Sequence, residues 1–458
     1  MSIQVVVLAA GQGKRMHSAL PKVLHTIAGR TLLEHVLATA ASLSTEAVPI
    51  IVYGHEGEVL QRALSHHPVQ WAEQKEQLGT AHALQQALPL INDADDVLIL
   101  YGDVPLISTE TLQQLIASTP ADSMSILTAE LSNPFGYGRI KRDEQQKITG
   151  IVEEKDASLA EKHITEVNSG IYLVPAALLK KWLPMLKNNN AQKEFYLTDI
   201  IDLAVKENIP VHNVKLMASE EILGVNDRVQ LAQLERHYQR RVAERLLRQG
   251  VTIMDPARID VRGVLQVGKD VTIDVNVLFE GRVEMGDGCH IGPNVILRNT
   301  ILAERVEVKA NSLIDGAEIA EDCVIGPFAR IRPGTVLASH AHIGNFVEVK
   351  NSQVGSHSKI NHLSYVGDSE VGERVNIGAG TITCNYDGVN KHKTIIGDDA
   401  FIGSGTELVA PVAIGEGATI GAGSTITHDA PAEKLTIARV QQRTIEEWER
   451  PVKEKKLD

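Results

Sequence analysis

The sequence is poor in aromatic residues, cysteines and long apolar runs, and each shortage narrows what this chain of 458 residues can be. Aromatic side chains make up only 4% of the residues, so the core must rest on aliphatic and small side chains. Three cysteines are too few for a disulfide framework, which favours a reducing, cytoplasmic setting. No stretch approaches the ~20 consecutive apolar residues of a membrane span.

Positive charge is also in short supply. The 45 lysines and arginines are outnumbered by 58 aspartates and glutamates, which gives a net charge of −13. Such a balance disfavours nucleic acid or an anionic membrane as the main partner. It still allows a local basic pocket for a phosphorylated small molecule.

The first half of the chain alternates short apolar runs with helical patterns. Strands are predicted at residues 5–10, 48–53, 97–101 and 125–128, and a helix at 31–41. This alternation is typical of a wound α/β domain with a parallel sheet. From residue 227 to 250, apolar residues recur at helical spacing and Gly250 suits the position just after a helix end, so we expect one long connecting helix.

The second half repeats every six residues. An aliphatic anchor recurs from Val267 to Ile426, and glycine often follows it. A period of six is typical of a hexapeptide β-helix, in which three hexads close one triangular coil. Residues 18 apart should therefore stack on neighbouring coils. We expect the glycines to relieve corners where φ is positive.

Interruptions of the repeat are informative as well. Between Ile382 and Ile396 no hexad frame exists, so this segment should leave the coil as a loop, a common location for function. The frame from Arg332 to Lys350 is unbroken, which predicts that these two cations stack at one corner. A bound phosphate would explain them, although neutralisation by Glu348 or solvation would also suffice.

A glycine-rich loop follows the first predicted strand. Residues 8–16 read LAAGQGKRM, and Pro21-Lys22 come shortly after. Glycines let backbone N–H groups approach phosphates, while the cations offset their charge. A dinucleotide fingerprint would need a third glycine where Met16 stands, and a P-loop is absent. Asp103 follows another predicted strand, where it suits Mg²⁺ or simply forms a turn.

These motifs resemble the signature of sugar-1-phosphate nucleotidyltransferases. Together with the hexads, nearly the full chain resembles the bacterial bifunctional enzymes that combine N-acetylglucosamine-1-phosphate uridyltransferase with glucosamine-1-phosphate acetyltransferase. The resemblance implies a Rossmann-like nucleotidyltransferase domain over residues 1–226, a helical linker over 227–250, and a left-handed parallel β-helix with a C-terminal tail over 251–458.

The implied function is synthesis of UDP-N-acetylglucosamine for the cell envelope. In the C-terminal domain, acetyl-CoA would acetylate glucosamine-1-phosphate. In the N-terminal domain, UTP and Mg²⁺ would convert the product, with release of pyrophosphate. The relatives are homotrimers, so we expect a homotrimer here. Two alternatives stay open: a nucleotidyltransferase with one activity and a structural or regulatory β-helix, and a non-catalytic regulatory subunit.

The resemblance also implies site residues in both halves. Asp103 and Asn226 would bind the metal, and His362 would be the catalytic base of acetyl transfer. The nucleotide and sugar site would comprise Leu8, Ala9, Ala10, Gly11, Arg15, Lys22, Gln74, Gly79, Thr80, Tyr101, Gly102, Asp103, Gly138, Glu153, Asn168 and Asn226. The amino-sugar phosphate site would comprise Arg332, Lys350, Tyr365 and Asn376. Acetyl-CoA would contact Ala379, Asn385, Tyr386, Ser404, Ala422 and Arg439.

Two further expectations concern residues outside these sites. His66 and His67 are expected to be exposed and without function. Thr444 and Glu447 have the spacing of a capping box, which predicts a short last helix.

Overall fold

The structure is a computed structural model that describes residues 2–43, 47–54 and 57–453. The chain divides into two compact units, Met1–Val242 and Ala243–Asp458. In the part of the chain that is described, no helix is long and apolar enough to cross a membrane.

The first unit is built on a central sheet whose strands run in the order β11-β7-β10-β6-β1-β4-β5, with β8 and β9 as a hairpin beside β10. A separate small hairpin pairs β2 with β3. The strands are β1 Ile3–Leu8, β2 Thr26–Ile27, β3 Arg30–Thr31, β4 Ile50–Tyr53, β5 Gln70–Glu73, β6 Asp96–Tyr101, β7 Met124–Glu130, β8 Arg139–Arg142, β9 Ile148–Val152, β10 Glu166–Pro175 and β11 Val211–Leu216.

Strand direction follows the predicted wound fold with one exception. β1 lies parallel between β4 and β6, and β11 is parallel to β7. β10 runs antiparallel to both β6 and β7. β1 and β6 are buried over nearly their whole length, which explains why they read as continuous apolar runs instead of alternating patterns. The prediction of a wound α/β domain is confirmed.

Helices accompany the sheet of the first unit. They are α1 Leu32–Ala41, α2 Gly57–Ala63, α3 Thr80–Ala87, α4 Thr109–Ser118, α5 Ala176–Trp182, α6 Ile200–Lys206 and α7 Arg228–Arg248. α1 begins with a complete capping box, in which Thr31 and Glu34 each bond the other's backbone N–H group.

The predicted long helix is present as α7, and Gly250 follows it with φ +95°. It is less exposed than its many charges indicate. Leu234 is buried in a cluster with Met16, Ile27 and Leu32, and the Tyr238 ring lies 5.1 Å from that of His35. The first ten or so residues of α7 are therefore part of the packing of the first unit.

The second unit is a parallel β-helix with three faces, as predicted. Long strands at Ile259–Val267, Val277–Met285 and Ile296–Leu302 begin the coil. Face A contains Thr252–Ile253, Thr272–Ile273, His290–Ile291, Glu307–Val308, Val324–Ile325, His342–Asn345, Lys359–His362, Asn376–Ile377, Phe401–Ile402, Thr419–Ile420 and Leu435–Thr436. Face B contains Leu313–Asp315, Arg330–Ile331, Glu348–Lys350, Tyr365–Gly367, Ile382–Cys384, Glu407–Val409 and Thr425–Ile426. Face C contains Ala317–Ile319, Thr335–Leu337, Gln353–Val354, Ser369–Val371, Thr394–Ile396 and Val412–Ile414.

The register of the coils follows the hexad frame. Ile331 pairs with Val349, eighteen residues later, so Arg332 and Lys350 stack at the same corner as predicted. Val349 pairs with Val366, seventeen residues later, because a five-residue step shortens that coil. Val371 pairs with Ile396, and the lengthened coil between them contains the predicted loop.

The prediction that the glycines directly after the anchors occupy corners with positive φ is wrong for most of them. The corner residue with positive φ comes third after the anchor and is often not glycine, as at Phe328, Phe346 and His357. The glycine directly after the anchor serves close approach between coils. A Cβ at Gly344 would lie 2.0 Å from the carbonyl oxygen of Asn361, and one at Gly403 would lie 2.5 Å from the nitrogen of Ala422.

The C-terminal segment does not form the predicted helix. Residues 437–453 contain one turn near Glu446 and no helix within this described range. A capping box stabilises a helix by about 1 kcal/mol, which is too little without an apolar face packed against a core.

Candidate functional sites

The carboxyl ends of β1 and β6 open into a cavity of about 440 Å³ in the first unit. Leu8 pairs with Tyr101, so the loops after the two strands lie side by side, where wound α/β folds bind ligands. Most of the predicted nucleotide site lines this cavity, namely Leu8, Ala9, Ala10, Gly11, Lys22, Gln74, Gly79, Thr80, Tyr101 and Asp103. Sequence reasoning missed Gln12, Val23, Gln77, Ala83 and Glu194, which line it as well.

The loop from Gln74 to Thr80 is held rigidly. Gly79 has φ +118°, and a Cβ there would lie 2.5 Å from the carbonyl oxygen of Phe195. The buried Gln74 amide donates to the Gly79 carbonyl at 3.1 Å. The Thr80 hydroxyl accepts a hydrogen bond from the Leu197 backbone at 3.0 Å. These contacts hold the backbone groups of the loop in fixed positions.

Asp103 and Asn226 converge on one cationic position. The Lys22 ammonium donates to the Asp103 carboxylate and lies 3.4 Å from Asn226 Oδ1. The Val225 N–H bonds the Asp103 carbonyl at 2.9 Å, which holds the two segments together. A carboxylate oxygen and an amide oxygen that already share one cation are donors of the kind that Mg²⁺ prefers.

The predicted sugar residues form a second group next to the nucleotide cavity. The Asn168 N–H donates to the Gly138 carbonyl at 2.9 Å, and a Cβ at Gly138 would lie 3.4 Å from a Glu153 carboxylate oxygen. Burial raises the pKa of Glu153, although Thr198 donates a hydrogen bond to it at 3.1 Å. Burial, with the nearby charges of Glu153 and Asp103, raises the pKa of Tyr101. Tyr101 therefore lies between the two groups.

Arg15 and Gly102 belong neither to the cavity lining nor to the groups around Asn226 and Glu153. Arg15 is exposed on a short 3₁₀ turn, whereas its neighbour Lys14 lines an adjacent cavity of about 420 Å³. Gly102 is buried, and a Cβ there would press on Leu33 and Ala9 at 3.2–3.3 Å. Close packing beneath the loop therefore explains why glycine occupies this position.

In the second unit, one edge of the coil aligns His362 with the predicted acetyl-CoA residues. Asn345, His362, Ala379, Ser404 and Ala422 occupy the same position, two residues after an anchor, on successive coils between faces A and B; we call this the His362 edge. Backbone hydrogen bonds join the carbonyls of His362, Ala379 and Ser404 to the next coil at 3.4, 2.7 and 2.8 Å. The Arg439 guanidinium donates to the Ala422 carbonyl at 2.7 Å.

The side chain of Asn345 contacts the His362 ring and favours one tautomer of it. The Asn345 amide oxygen lies 2.8 Å from His362 Nδ1, and an amide oxygen can only accept. In the neutral tautomer that makes this hydrogen bond, Nδ1 carries the proton and Nε2 has the lone pair. Because His362 is exposed, this lone pair is accessible to a ligand.

Cations cluster at the next edge, between faces B and C. Arg332 pairs with Glu348 at 2.8 Å, and Lys350 pairs with Asp368 at 3.4 Å. Lys391, from the predicted loop, lies so close that a side-chain hydrogen bond with Lys350, together with the Lys350 charge, lowers the pKa of Lys391. Sequence reasoning missed Lys391, because the loop has no hexad frame from which to read its position.

Tyr365 and Asn385 join this cation cluster. The Asn385 amide donates to the Asp368 carboxylate and lies 3.5 Å from the Tyr365 hydroxyl. Tyr386 is exposed in the loop and pairs through its backbone with Lys391. Asn376 lies on face A, so the described chain does not bring it to the cluster at the edge between faces B and C.

Comparison with known proteins agrees with this architecture. Residues 5–194 match the MobA-like NTP transferase domain, residues 261–363 match the GMPPB C-terminal domain, and residues 393–428 match six repeats of the bacterial transferase hexapeptide family. Fold and sites thus define a nucleotidyltransferase joined to a hexapeptide transferase.

Full-length relatives narrow this class to one family. The chain is 56% identical to bifunctional protein GlmU of Azoarcus sp. strain BH72, over 99% of this chain and all of the relative. It is 55% identical to GlmU of Aromatoleum aromaticum, over 99% of each, and 54% identical to GlmU of Methylococcus capsulatus, over 100% and 99%. The chain belongs to the GlmU family. The prediction of a bifunctional nucleotidyltransferase and acetyltransferase is confirmed.

Proposed function

We propose that the two halves catalyse successive steps in the synthesis of UDP-N-acetylglucosamine, with uridylyl transfer in residues 1–226, a helical linker at 227–250 and acetyl transfer in 251–458. The observation that carries the proposal is the His362 edge. It combines an accessible imidazole lone pair with small side chains on the coils that follow. A helix that served only to support the first unit would need neither feature.

Uridylyl transfer is an in-line displacement at phosphorus. A phosphate oxygen of N-acetylglucosamine-1-phosphate attacks the α-phosphorus of UTP, and the bond to the pyrophosphate oxygen breaks. The chain's task is to position both substrates and to neutralise charge, which Lys22 and the backbone N–H groups around Gly11 support. Asp103 and Asn226 would hold Mg²⁺, which supplies charge neutralisation to the phosphates.

Acetyl transfer needs a neutral amine. His362 Nε2 accepts the proton of the attacking amine of glucosamine-1-phosphate, the nitrogen forms the amide bond to the acetyl carbon, and the thiolate of CoA leaves. Arg332, Lys350 and Lys391 bind the sugar phosphate, displacing contacts that Glu348 and Asp368 now supply. Ala379, Ser404 and Ala422 leave room for the pantetheine arm along the edge.

A homotrimer in a cytoplasmic setting completes the proposal. Asn376 lies on face A and the cation cluster at the edge between faces B and C, which favours a site that a neighbouring chain completes. The three cysteines are free thiols, which suits a reducing compartment.

Two assays on the wild-type protein test the function. We expect CoA release from acetyl-CoA plus glucosamine-1-phosphate, and pyrophosphate release from UTP plus N-acetylglucosamine-1-phosphate with Mg²⁺. Pyrophosphate release without CoA release would favour the alternative of a nucleotidyltransferase with a structural β-helix. Absence of both would favour the non-catalytic alternative.

A further inference from the structure

Three potential metal ligands converge in the first unit, outside the cavities described above. His66 Nε2 and His67 Nε2 lie 3.5 and 3.8 Å from the same oxygen, Oε1 of Glu34. The three ligand atoms all lie within 4.8 Å of one another. Glu34 comes from the first turn of α1 and the histidines from the segment after α2, so the cluster joins two elements.

The carboxylate is held with one oxygen free for a ligand. Oε2 of Glu34 accepts hydrogen bonds from the Thr31 N–H and hydroxyl, both at 2.8 Å. These bonds fix the side chain as part of the helix cap and leave Oε1 directed at the histidines. The capping box therefore orients this carboxylate as the outer contacts of a metal ligand usually do.

His67 supplies an independent indication that something is bound. Its Nε2 is buried, and no hydrogen-bond partner for it lies among the residues that the structure describes. A buried nitrogen without a partner is destabilising, because it has lost its hydrogen bond to water. The nitrogen lies on the side of the ring that faces Glu34, so an ion between the two would satisfy it.

We propose that Glu34, His66 and His67 bind a divalent transition-metal ion of the zinc class. Two imidazole nitrogens and one carboxylate oxygen are a known set of protein ligands for Zn²⁺, with water at the fourth position. Tetrahedral ligands about 2.0–2.2 Å from the metal are about 3.3 Å apart, so the two distances from the histidines to Glu34 need to shorten by only a few tenths of an ångström. Imidazole ligands disfavour Mg²⁺, so this site is chemically distinct from Asp103 and Asn226. The ion fastens the start of α1 to the segment after α2.

Zinc titration of the full chain tests the proposal. Protein stripped with a chelator is titrated calorimetrically with Zn²⁺ in excess Mg²⁺, which occupies oxygen sites. We expect the double variant H66N/H67N to lose about one equivalent of bound Zn²⁺ per chain. Glu34→Gln, which preserves the capping box, should weaken the same equivalent by about tenfold or more. Co²⁺ should show the visible absorption of a four-coordinate site in the wild type only.

A matched pair elsewhere controls for histidine content. The rings of His340 and His357 stack at 4.6 Å near Asp322, on the exposed surface of the β-helix. The double variant H340N/H357N should keep the equivalent that H66N/H67N loses. Circular dichroism verifies that each variant is folded. If the wild type binds no more Zn²⁺ than H66N/H67N, or if Glu34→Gln and H340N/H357N weaken binding equally, the cluster is only a histidine–carboxylate contact and the proposal fails.

Discussion

At the scale of single residues, the proposed role of His362 as a base rests on the contact of its Nδ1 with the Asn345 amide oxygen at 2.8 Å. Asn345→Ala should remove the bond to Nδ1 and let the ring rotate and change tautomer. We expect kcat for acetyl transfer to fall by about 10–100-fold, with a much smaller change in KM for glucosamine-1-phosphate. Steady-state kinetics measure both quantities.

Asn361→Ala is the control for Asn345→Ala. Asn361 precedes His362 in the chain, but its side-chain oxygen has no hydrogen-bond partner among the described residues. Equal losses in the two variants would mean that Asn345 acts only through local stability.

Asp199 carries a pH dependence of stability at the same scale. Burial and the charges of Asp202 and Asp156 raise the pKa of Asp199 to about 6. The folded state thus binds a proton that the unfolded state has released, and stability contributed by this proton is lost as the pH rises from about 4 through 6. Asp199→Asn should stabilise the first unit at pH 7 by about 1 kcal/mol, a small effect because solvent screens a half-buried carboxylate.

Thermal unfolding at two pH values checks the sign of the Asp199 effect. The variant should gain on the wild type at pH 7 and lose most of that gain near pH 4.5. A stabilisation by Asp199→Asn that increased towards low pH would contradict the raised pKa of Asp199.

At the scale of elements, Gly403 tests why glycine follows the anchors. Gly403→Ala would place a Cβ 2.5 Å from the nitrogen of the next coil, so we expect destabilisation of about 1–3 kcal/mol. Gly423 has φ +71° and open space, and Asn takes the same corner at Asn276 and Asn294. Gly423→Asn should therefore be nearly neutral. If Gly423→Asn lowered the thermal midpoint of the β-helix more than Gly403→Ala, positive φ would be the reason for glycine in the coils, and this explanation would be wrong.

The loop between faces B and C gives a second test at this scale. Lys391→Ala should remove one of three cations at the phosphate position, so KM for glucosamine-1-phosphate should rise by about 10-fold or more. Lys393 lines the same cavity as Lys391, but its charge pairs with Glu370 at 2.5 Å, so Lys393→Ala is the control for loss of a loop cation that already has an acidic partner. Unchanged KM in Lys391→Ala would remove Lys391 from the site.

Elements also show where sequence reasoning succeeds. The stacking of Arg332 on Lys350 could be predicted because the hexad frame fixes register through chain spacing alone. The direction of β10 could not be predicted, because a buried strand has the same apolar sequence pattern whether it runs parallel or antiparallel to its neighbours. Lys391 could not be placed either, since its loop has no frame.

At the scale of the whole molecule, the two halves differ in how much of their structure can be predicted from the sequence. In the β-helix, the periodic frame predicts the three-faced coil and the stacking of Arg332 on Lys350, whereas the role of His362 depended on family resemblance. In the first unit, the contacts of Gly79 with Phe195 and of Glu153 with Thr198 join segments far apart in the chain. No spacing encodes such contacts, so the predicted nucleotide and sugar residues there depended on family resemblance.

Separation of the two chemistries is the central claim, and one measurement tests it most directly. Both activities are assayed in Asp103→Ala and in His362→Asn, with folding verified for each. Asp103→Ala should lose uridylyl transfer and keep acetyl transfer, and His362→Asn should lose acetyl transfer by about 10²-fold or more while keeping uridylyl transfer. A folded single variant that lost both activities would contradict the assignment of one reaction to each half.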